Sequence, residues 1–197
     1  MNGNRCSQSK DHRINCKRPE SRFNGSQVFF YAAFLLFLGL SKECDMSVEE
    51  REQRARDLFK AGYNCCQAVA MTFADVIGLP EDEIARITSG FGGGMGRMRE
   101  VCGTVSAMTM VAGAMIPAND VNDKAAKTAN YALVQEMAGE FKQLNGSIIC
   151  RELLGLSKPE GTPVPSDRTP EYYKKRPCGE LCAIAAGIVA RKLEIEN

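Results

Sequence analysis

The sequence predicts an all-α fold, a bundle of five or six helices around a buried central helix at about residues 102–116. Three observations carry this expectation. From Met46 onward, apolar residues recur at helical spacing. Ser, Asn and Pro stand where such helices must start. The stretch "CGTVSAMTMVAGAMI", Cys102 to Ile116, is apolar on every side, as suits a helix enclosed by others. No β-like alternation of useful length and no internal repeat interrupts the pattern.

Each element has a local reason. Ser47 followed by Glu50 reads as a capping box, with Val48, Ala55, Leu58, Phe59 and Gly62 on one face of the first helix. Asn64 can cap a second helix, striped by Cys66, Val69, Ala70, Phe73 and Ile77. "LPEDE" opens a third, with Pro80 near its start and three acids where the helix dipole favours them. It runs out into glycines at Gly90, and the apolar helix that follows ends at Pro117. Asp120 or Asn122 can start the next, carrying Ala126, Ala129, Leu133, Met137, Phe141 and Leu144 along one face until Gly146. A short helix over Cys150–Leu154 stops at Gly155. Residues 155–177 hold five of the eight prolines and no period, so a long surface loop is expected. The last helix starts at Pro177-Cys178, with Leu181, Cys182, Ala185, Ile188, Val189 and Leu193 inward.

The totals suit one globular domain over residues 46–197: 44% hydrophobic, 25% charged, net charge +1 over 197 residues. That balance offers no nucleic-acid groove. Residues 1–45 differ, with seven Lys and Arg against four Asp and Glu. The run "VFFYAAFLLFLGL", Val28 to Leu40, is 13 residues, too short for a membrane span of about 20 but long enough for the core of a signal peptide. No A-x-A-like site follows it. Lys42-Glu43 can be encoded by a bacterial ribosome-binding sequence placed just before Met46. The expectation is that residues 1–45 are a non-native leader, with a signal or anchor as the alternative. Synthesis from Met46 implies a cytoplasmic protein, and a true signal implies an exported or anchored one. No membrane contact is expected for residues 46–197, and the apolar stripes allow a homodimer.

Nine cysteines are many for this length, against one histidine and no tryptophan. Six follow Met46, and four of them fall at helix starts. Cys65 follows the cap Asn64, Cys102 opens the apolar helix, Cys150 lies three residues after the cap candidate Ser147, and Cys178 follows Pro177. Unpaired N–H groups and the positive dipole end stabilise a thiolate there, and the thiolate is both nucleophile and metal ligand. Arg97 and Arg99 before Cys102, and "KKR" (Lys174–Arg176) before Cys178, can add to this. Cys66 and Cys182 lie on apolar stripes and read as core.

The stretches "AGYNCCQAV", "SGFGGGMGR" with "VCGTVSA", "CRELLG" and "CGELCAIAAGIVARKLE" resemble the C_GCAxxG_C_C family of redox-active proteins over residues 47–193. The cysteines of that pattern correspond to Cys65, Cys102, Cys150 and Cys178. Set against GCAxxG, Val101 replaces the first glycine, Gly103 the alanine and Ser106 the last glycine, and Cys66 is an addition. The resemblance implies a thiol redox role.

Two chemistries suit the four cysteines. In the first, a thiol–disulfide redox protein, paired cysteines cycle between dithiol and disulfide with an electron donor or acceptor. There is no C-x-x-C, so the fold must assemble the pair, and four cysteines allow three connectivities. The expected pairs are Cys65 with Cys102 and Cys150 with Cys178. Cys102 is the expected nucleophile, and Cys178, with its basic lead-in, is the rival. In the alternative, the same four cysteines bind zinc or an iron–sulfur cluster, although spacings of 37, 48 and 28 residues lack a local knuckle. With no histidine after Met46, a Cys–His dyad is excluded there, and Glu100 or Glu180 is left to shuttle a proton.

The glycines of "SGFGGGMGR" lack the G-K-[S/T] ending of a phosphate loop. They read instead as backbone that must come close to helix ends and aim the start bearing Cys102. An anionic substrate could meet these N–H groups beside Arg97.

Overall fold

Helix starts fall largely where the capping residues put them. The computed structural model describes residues 46–158 and 162–196; the leader or signal-like segment over 1–45, with its apolar run 28–40, lies outside the described residues. Helix α1 is Val48–Lys60. Its capping box is complete: Glu50 N donates to Ser47 Oγ at 3.2 Å and Ser47 N to Glu50 Oε2 at 2.8 Å. Ala55 and Phe59 are buried as the spacing requires, but Gly62 lies in the turn beyond the helix, at φ +107°. The same face buries Arg51, only 2% exposed. A charged residue at an inward position is invisible to an apolar period. Its guanidinium donates to Thr72 O at 3.0 Å, forks onto both Asp75 oxygens at 3.1 and 2.7 Å, and stacks on Phe73 at 4.7 Å.

Burial pushes the Asp75 carboxyl up, but the hydrogen bonds and charge of Arg51 outweigh it and hold the group below its usual value. For a depressed carboxyl, the stabilisation is fully present above the unfolded value near about 4 and is lost as pH falls through the lower folded value. Asp75→Ala should cost about 2 kcal/mol, less than for a fully buried pair because this carboxylate is half-exposed. Urea unfolding measures it, and the gap between the two proteins should narrow below about pH 4.

Helix α2, Cys65–Thr72, is buried on nearly all sides and packs against α1, α4, α5 and α9. Asn64 caps it: Oδ1 accepts from Cys66 N at 2.9 Å and Gln67 N at 3.0 Å. Asn64 Nδ2 also donates to Ser89 O at 3.0 Å, tying the start of α2 to the turn after α4. Asn64→Ala should therefore lower stability by about 1–2 kcal/mol in a urea titration. The expected single stripe to Ile77 is broken at Phe73, where Arg51 takes the Thr72 carbonyl, and resumes as α3, Ala74–Ile77. Helix α4, Glu81–Thr88, follows Pro80 with its acids in the first turn and passes into a 3-10 turn, Ser89–Phe91.

Helix α5 is Gly103–Met115. It is buried from Gly103 to Met108 and at Val111 and Ala112, while Thr109 and Gly113 face outward. The centre of the bundle is thus shared with α2 and α9. Helix α6, Lys124–Asn145, is capped by Asp123, whose side chain accepts from Ala126 N at 2.8 Å, rather than by Asp120 or Asn122. Leu133, Met137 and Phe141 point inward, but Leu144 is 61% exposed. Helix α7, Cys150–Leu153, is short, with Gly155 left-handed beyond it.

The expected loop over 155–177 contains a helix, α8, Pro170–Lys175. Its signals are a Thr169 cap accepting from Tyr172 N, Pro at the first position, and lysines in the last turn. Helix α9, Cys178–Glu196, lies most extensively on α1 and buries Leu181, Cys182, Ala185, Ile188 and Val189. The one β-feature among the described residues is an isolated antiparallel bridge, Val101 with Ile149. None of the described helices is long and apolar enough to cross a membrane.

Candidate functional site

The four cysteines expected at helix starts are there: Cys65 and Cys150 are the first residues of α2 and α7, Cys102 caps α5, and Cys178 begins α9. All four line one cavity of about 50 Å³, together with Phe59, Arg99, Arg168, Tyr172 and Arg176. Two devices bring them together, a bridge that the sequence did not reveal and the glycine loop that it did.

The first is the bridge. Cys102 N donates to Ile148 O at 2.8 Å, Cys150 N to Glu100 O at 2.6 Å and Arg151 N to Arg99 O at 3.2 Å. This pairing fixes the starts of α5 and α7 side by side. Ser147, expected as the cap of α7, instead accepts from Ile149 N at 2.9 Å and pairs with Glu152.

The second is the glycine loop. Gly93, Gly94, Met95, Gly96 and Arg97 all have positive φ, and so does Arg99. This reversed turn is closed by Gly96 N to Gly90 O at 2.8 Å and Glu100 N to Gly94 O at 3.2 Å. Gly94 lies against α7: a Cβ there would sit 2.6 Å from Cys150 Cβ. Gly103 lies against α2: its Cβ would sit 2.6 Å from Cys65 Sγ and 2.9 Å from Phe91 O. The loop lets helix starts approach more closely than side chains allow.

Cys65 is the acidic thiol. A hydrogen bond from the Cys102 thiol, opposed by burial and aided by the backbone N–H groups of Gly93, Cys66 and Gly103, lowers it to about 6. Cys102 moves the opposite way, held protonated first by donating to Cys65 and then by burial. Thr104 Oγ1, 3.2 Å from Cys102 Sγ, offsets this only in part. Of the two, Cys65 is thus the more acidic, through the Cys102 thiol first and then the backbone N–H groups that converge on its sulfur.

The rival, Cys178, is pushed up to about 12 by burial and the Cys65 charge, despite Arg176 and Arg168. Cys150 is raised by burial, although Arg99 Nη1 lies 3.9 Å from its sulfur. Cys66 and Cys182 are fully buried, and burial raises both thiols, as core cysteines require.

The basic residues divide differently from expectation. Arg97 turns away from Cys102 and donates to Thr162 O at 3.2 Å and Ser166 Oγ at 3.3 Å, fastening the glycine loop to the segment before α8. Arg99 is 2% exposed and faces Cys150. Lys174 and Lys175 are exposed, while Arg176 lines the cavity and stacks on Tyr172 at 5.0 Å. Arg168 was not singled out by sequence. It lies over Phe59 at 4.6 Å and Tyr172 at 5.0 Å and donates to Phe59 O and Tyr63 O. Its only local signal is a nearby Tyr pair.

Glu100 pairs with Arg151 at 3.2 Å and Glu180 with Arg56 at 3.1 Å, and neither lines the cavity. A proton shuttle by either has no support in this geometry. Among the described residues, no three His, Cys, Asp or Glu side chains are grouped to hold a metal ion. The four sulfurs share a cavity without the convergence that zinc or a cluster needs, so this arrangement does not fit those groups.

Residues 63–192 match the family model described as "Putative redox-active protein (C_GCAxxG_C_C)". No curated protein and no solved structure matches the chain.

Proposed function

Because this chain belongs to the C_GCAxxG_C_C family of redox-active proteins, we propose that it is a thiol–disulfide redox protein whose reactive pair is Cys65 and Cys102. The observation that supports this most is the juxtaposition of Cys65 and Cys102 on one cavity at the starts of α2 and α5, where Gly103, next to Cys102, lies against the Cys65 sulfur. A thiolate beside a thiol is the dithiol state ready to react. Cys65 attacks one sulfur of an acceptor disulfide, breaking its S–S bond, forming a mixed disulfide and expelling the other sulfur as a thiolate that takes up a proton. Cys102 then loses its proton and attacks the Cys65 sulfur, closing the Cys65–Cys102 disulfide and expelling the acceptor's remaining sulfur, so that the acceptor leaves as a dithiol or thiol pair with two more electrons. Cys150 and Cys178, on the same cavity, form the second pair and can accept the disulfide by exchange.

In this reading residues 46–197 are the redox domain. If synthesis starts at Met46, the pair rests reduced in the cytoplasm; if residues 1–45 export the chain, it rests oxidised.

Thiol titration against mixtures of reduced and oxidised dithiothreitol tests the proposal. Cys65→Ser and Cys102→Ser should each lose two fewer thiols reversibly than the parent protein and Cys66→Ala, the remaining pair being Cys150 with Cys178. A loss of thiols as large as the parent's in both serine variants contradicts it.

A further inference from the structure

Residues 162–176 cross the thiol cavity as a strap. Arg168, Tyr172 and Arg176 line the cavity and are each half-buried, so they stand between it and solvent. No residue of the strap is buried. Of its apolar side chains, Tyr172 and Tyr173 lie against the core, while Val164 is 66% exposed. What holds the strap is a small set of polar and ring contacts. Arg168 donates to Phe59 O at 3.4 Å and Tyr63 O at 3.2 Å, and lies over the Phe59 ring at 4.6 Å. The Tyr173 hydroxyl donates to Lys60 O at 3.3 Å, and its ring meets Phe59 edge-on at 5.9 Å. All of these end at the last turn of α1 and the turn beyond it. Arg97 holds the other end of the strap through Thr162 and Ser166. A segment with few buried apolar contacts opens at a far smaller cost than the fold as a whole.

The chemistry beneath the strap needs such an opening. Cys65, Cys102 and Cys150 are 8%, 5% and 6% exposed. Exchange requires the Cys65 sulfur to touch one sulfur of the acceptor while the other departs. A cavity of about 50 Å³ holds a few water-sized groups. A disulfide with a residue on each side does not fit.

We propose that residues 162–176 form a lid over the dithiol, latched by Arg168 onto the end of α1, and that its opening admits the acceptor disulfide to Cys65. This rests on the thiol-redox reading and adds the step that precedes attack. With the lid closed, reagents of a few atoms reach Cys65 and a disulfide carried on a peptide does not. With it open, the same sulfur is available to both. Arg168 controls access and takes no part in the exchange itself, because its guanidinium is engaged by Phe59 and Tyr63.

The test compares two reagents of equal chemistry and unequal size on the full reduced chain: iodoacetamide, and an iodoacetamide group carried on a polyethylene glycol chain. Rates are read at Cys65 by peptide mapping and set against those of a free cysteine peptide. The parent protein should discriminate against the large reagent at least about tenfold more than the peptide does. Arg168→Gln removes two hydrogen bonds and raises the open population, so the large reagent should gain at least about tenfold and the small one less than about twofold. Tyr173→Phe, outside the cavity lining, should act in the same direction more weakly. Cys66 and Cys182, fully buried, should stay unlabelled throughout. Discrimination no greater than the peptide's, or equal acceleration of both reagents by Arg168→Gln, overturns the lid. So does labelling of Cys66 and Cys182 in step with Cys65, which marks unfolding of the bundle instead. If the lid fails while the dithiothreitol titration still shows the Cys65–Cys102 pair, the lid inference falls alone.

Discussion

In the reduced protein, iodoacetamide is expected to find one fast cysteine whose reactivity rises with a midpoint near pH 6, and Cys65→Ser should abolish that phase. At pH 7 an ordinary thiol, with a value near about 8.5, is only a few per cent thiolate, whereas Cys65 is mostly ionised. Part of that gain is returned, because a more acidic thiolate is a weaker nucleophile. The remaining cysteines of the site cannot take over, since burial raises Cys150 and Cys178 and donation to Cys65 raises Cys102. Loss of Cys65 should therefore slow the fastest labelling at pH 7 by at least about tenfold. Cys102→Ala makes a sharper distinction. The thiol of Cys102 is the largest influence lowering Cys65, and the backbone donors of Gly93, Cys66 and Gly103 remain. The midpoint should move up without reaching that of a free thiol. If the fast phase persists in Cys65→Ser and vanishes in Cys102→Ser, the roles are reversed.

The second large effect is expected at Gly94. Its φ is +70°, and an added Cβ would meet Cys150 Cβ at 2.6 Å, Glu100 N at 2.9 Å and Glu100 O at 3.0 Å. Two of these neighbours are backbone atoms held by the pairing of Glu100 with Cys150, so they cannot swing aside as a flexible side-chain end could. Gly94→Ala combines left-handed strain with overpacking, and together they should cost about 3 kcal/mol or more in a urea titration of the reduced protein. The control is Gly113→Ala. Gly113 lies within α5, faces outward and has open space around it, so alanine should stabilise by up to about 1 kcal/mol. Equal effects at the two positions would mean that the loop does not press on the start of α7.

Much of this architecture was legible because its causes are local. A capping box is four residues long, and the box at Ser47 and the cap at Asn64 formed as read, the latter as a full box with Gln67. Placing four cysteines at helix starts needed only the caps, the prolines and the apolar period. The failures share a different cause, dependence on partners distant in sequence. Arg51 is inward because Asp75 and the Thr72 carbonyl wait for it across the bundle. Arg97 and Arg99 stand two residues apart, yet one fastens the loop to Thr162 and the other faces Cys150, a division set by the left-handed run. The low value of Cys65 depends on the Cys102 thiol and on N–H donors such as that of Gly93, 28 residues away. Helix α8 is the exception. Thr169, Pro170 and the lysines were local signals, obscured by the proline-rich stretch around them.

The central claim is that Cys65 and Cys102 are partners in one redox pair. Peptide mapping by mass spectrometry, after mild oxidation of the Cys66→Ala protein, tests it most directly because no adjacent cysteine then obscures the assignment. The account predicts a peptide containing Cys65 linked to one containing Cys102, and its disappearance on reduction. Stable linkage of Cys65 or Cys102 to another cysteine, with no peptide joining Cys65 to Cys102, would contradict it.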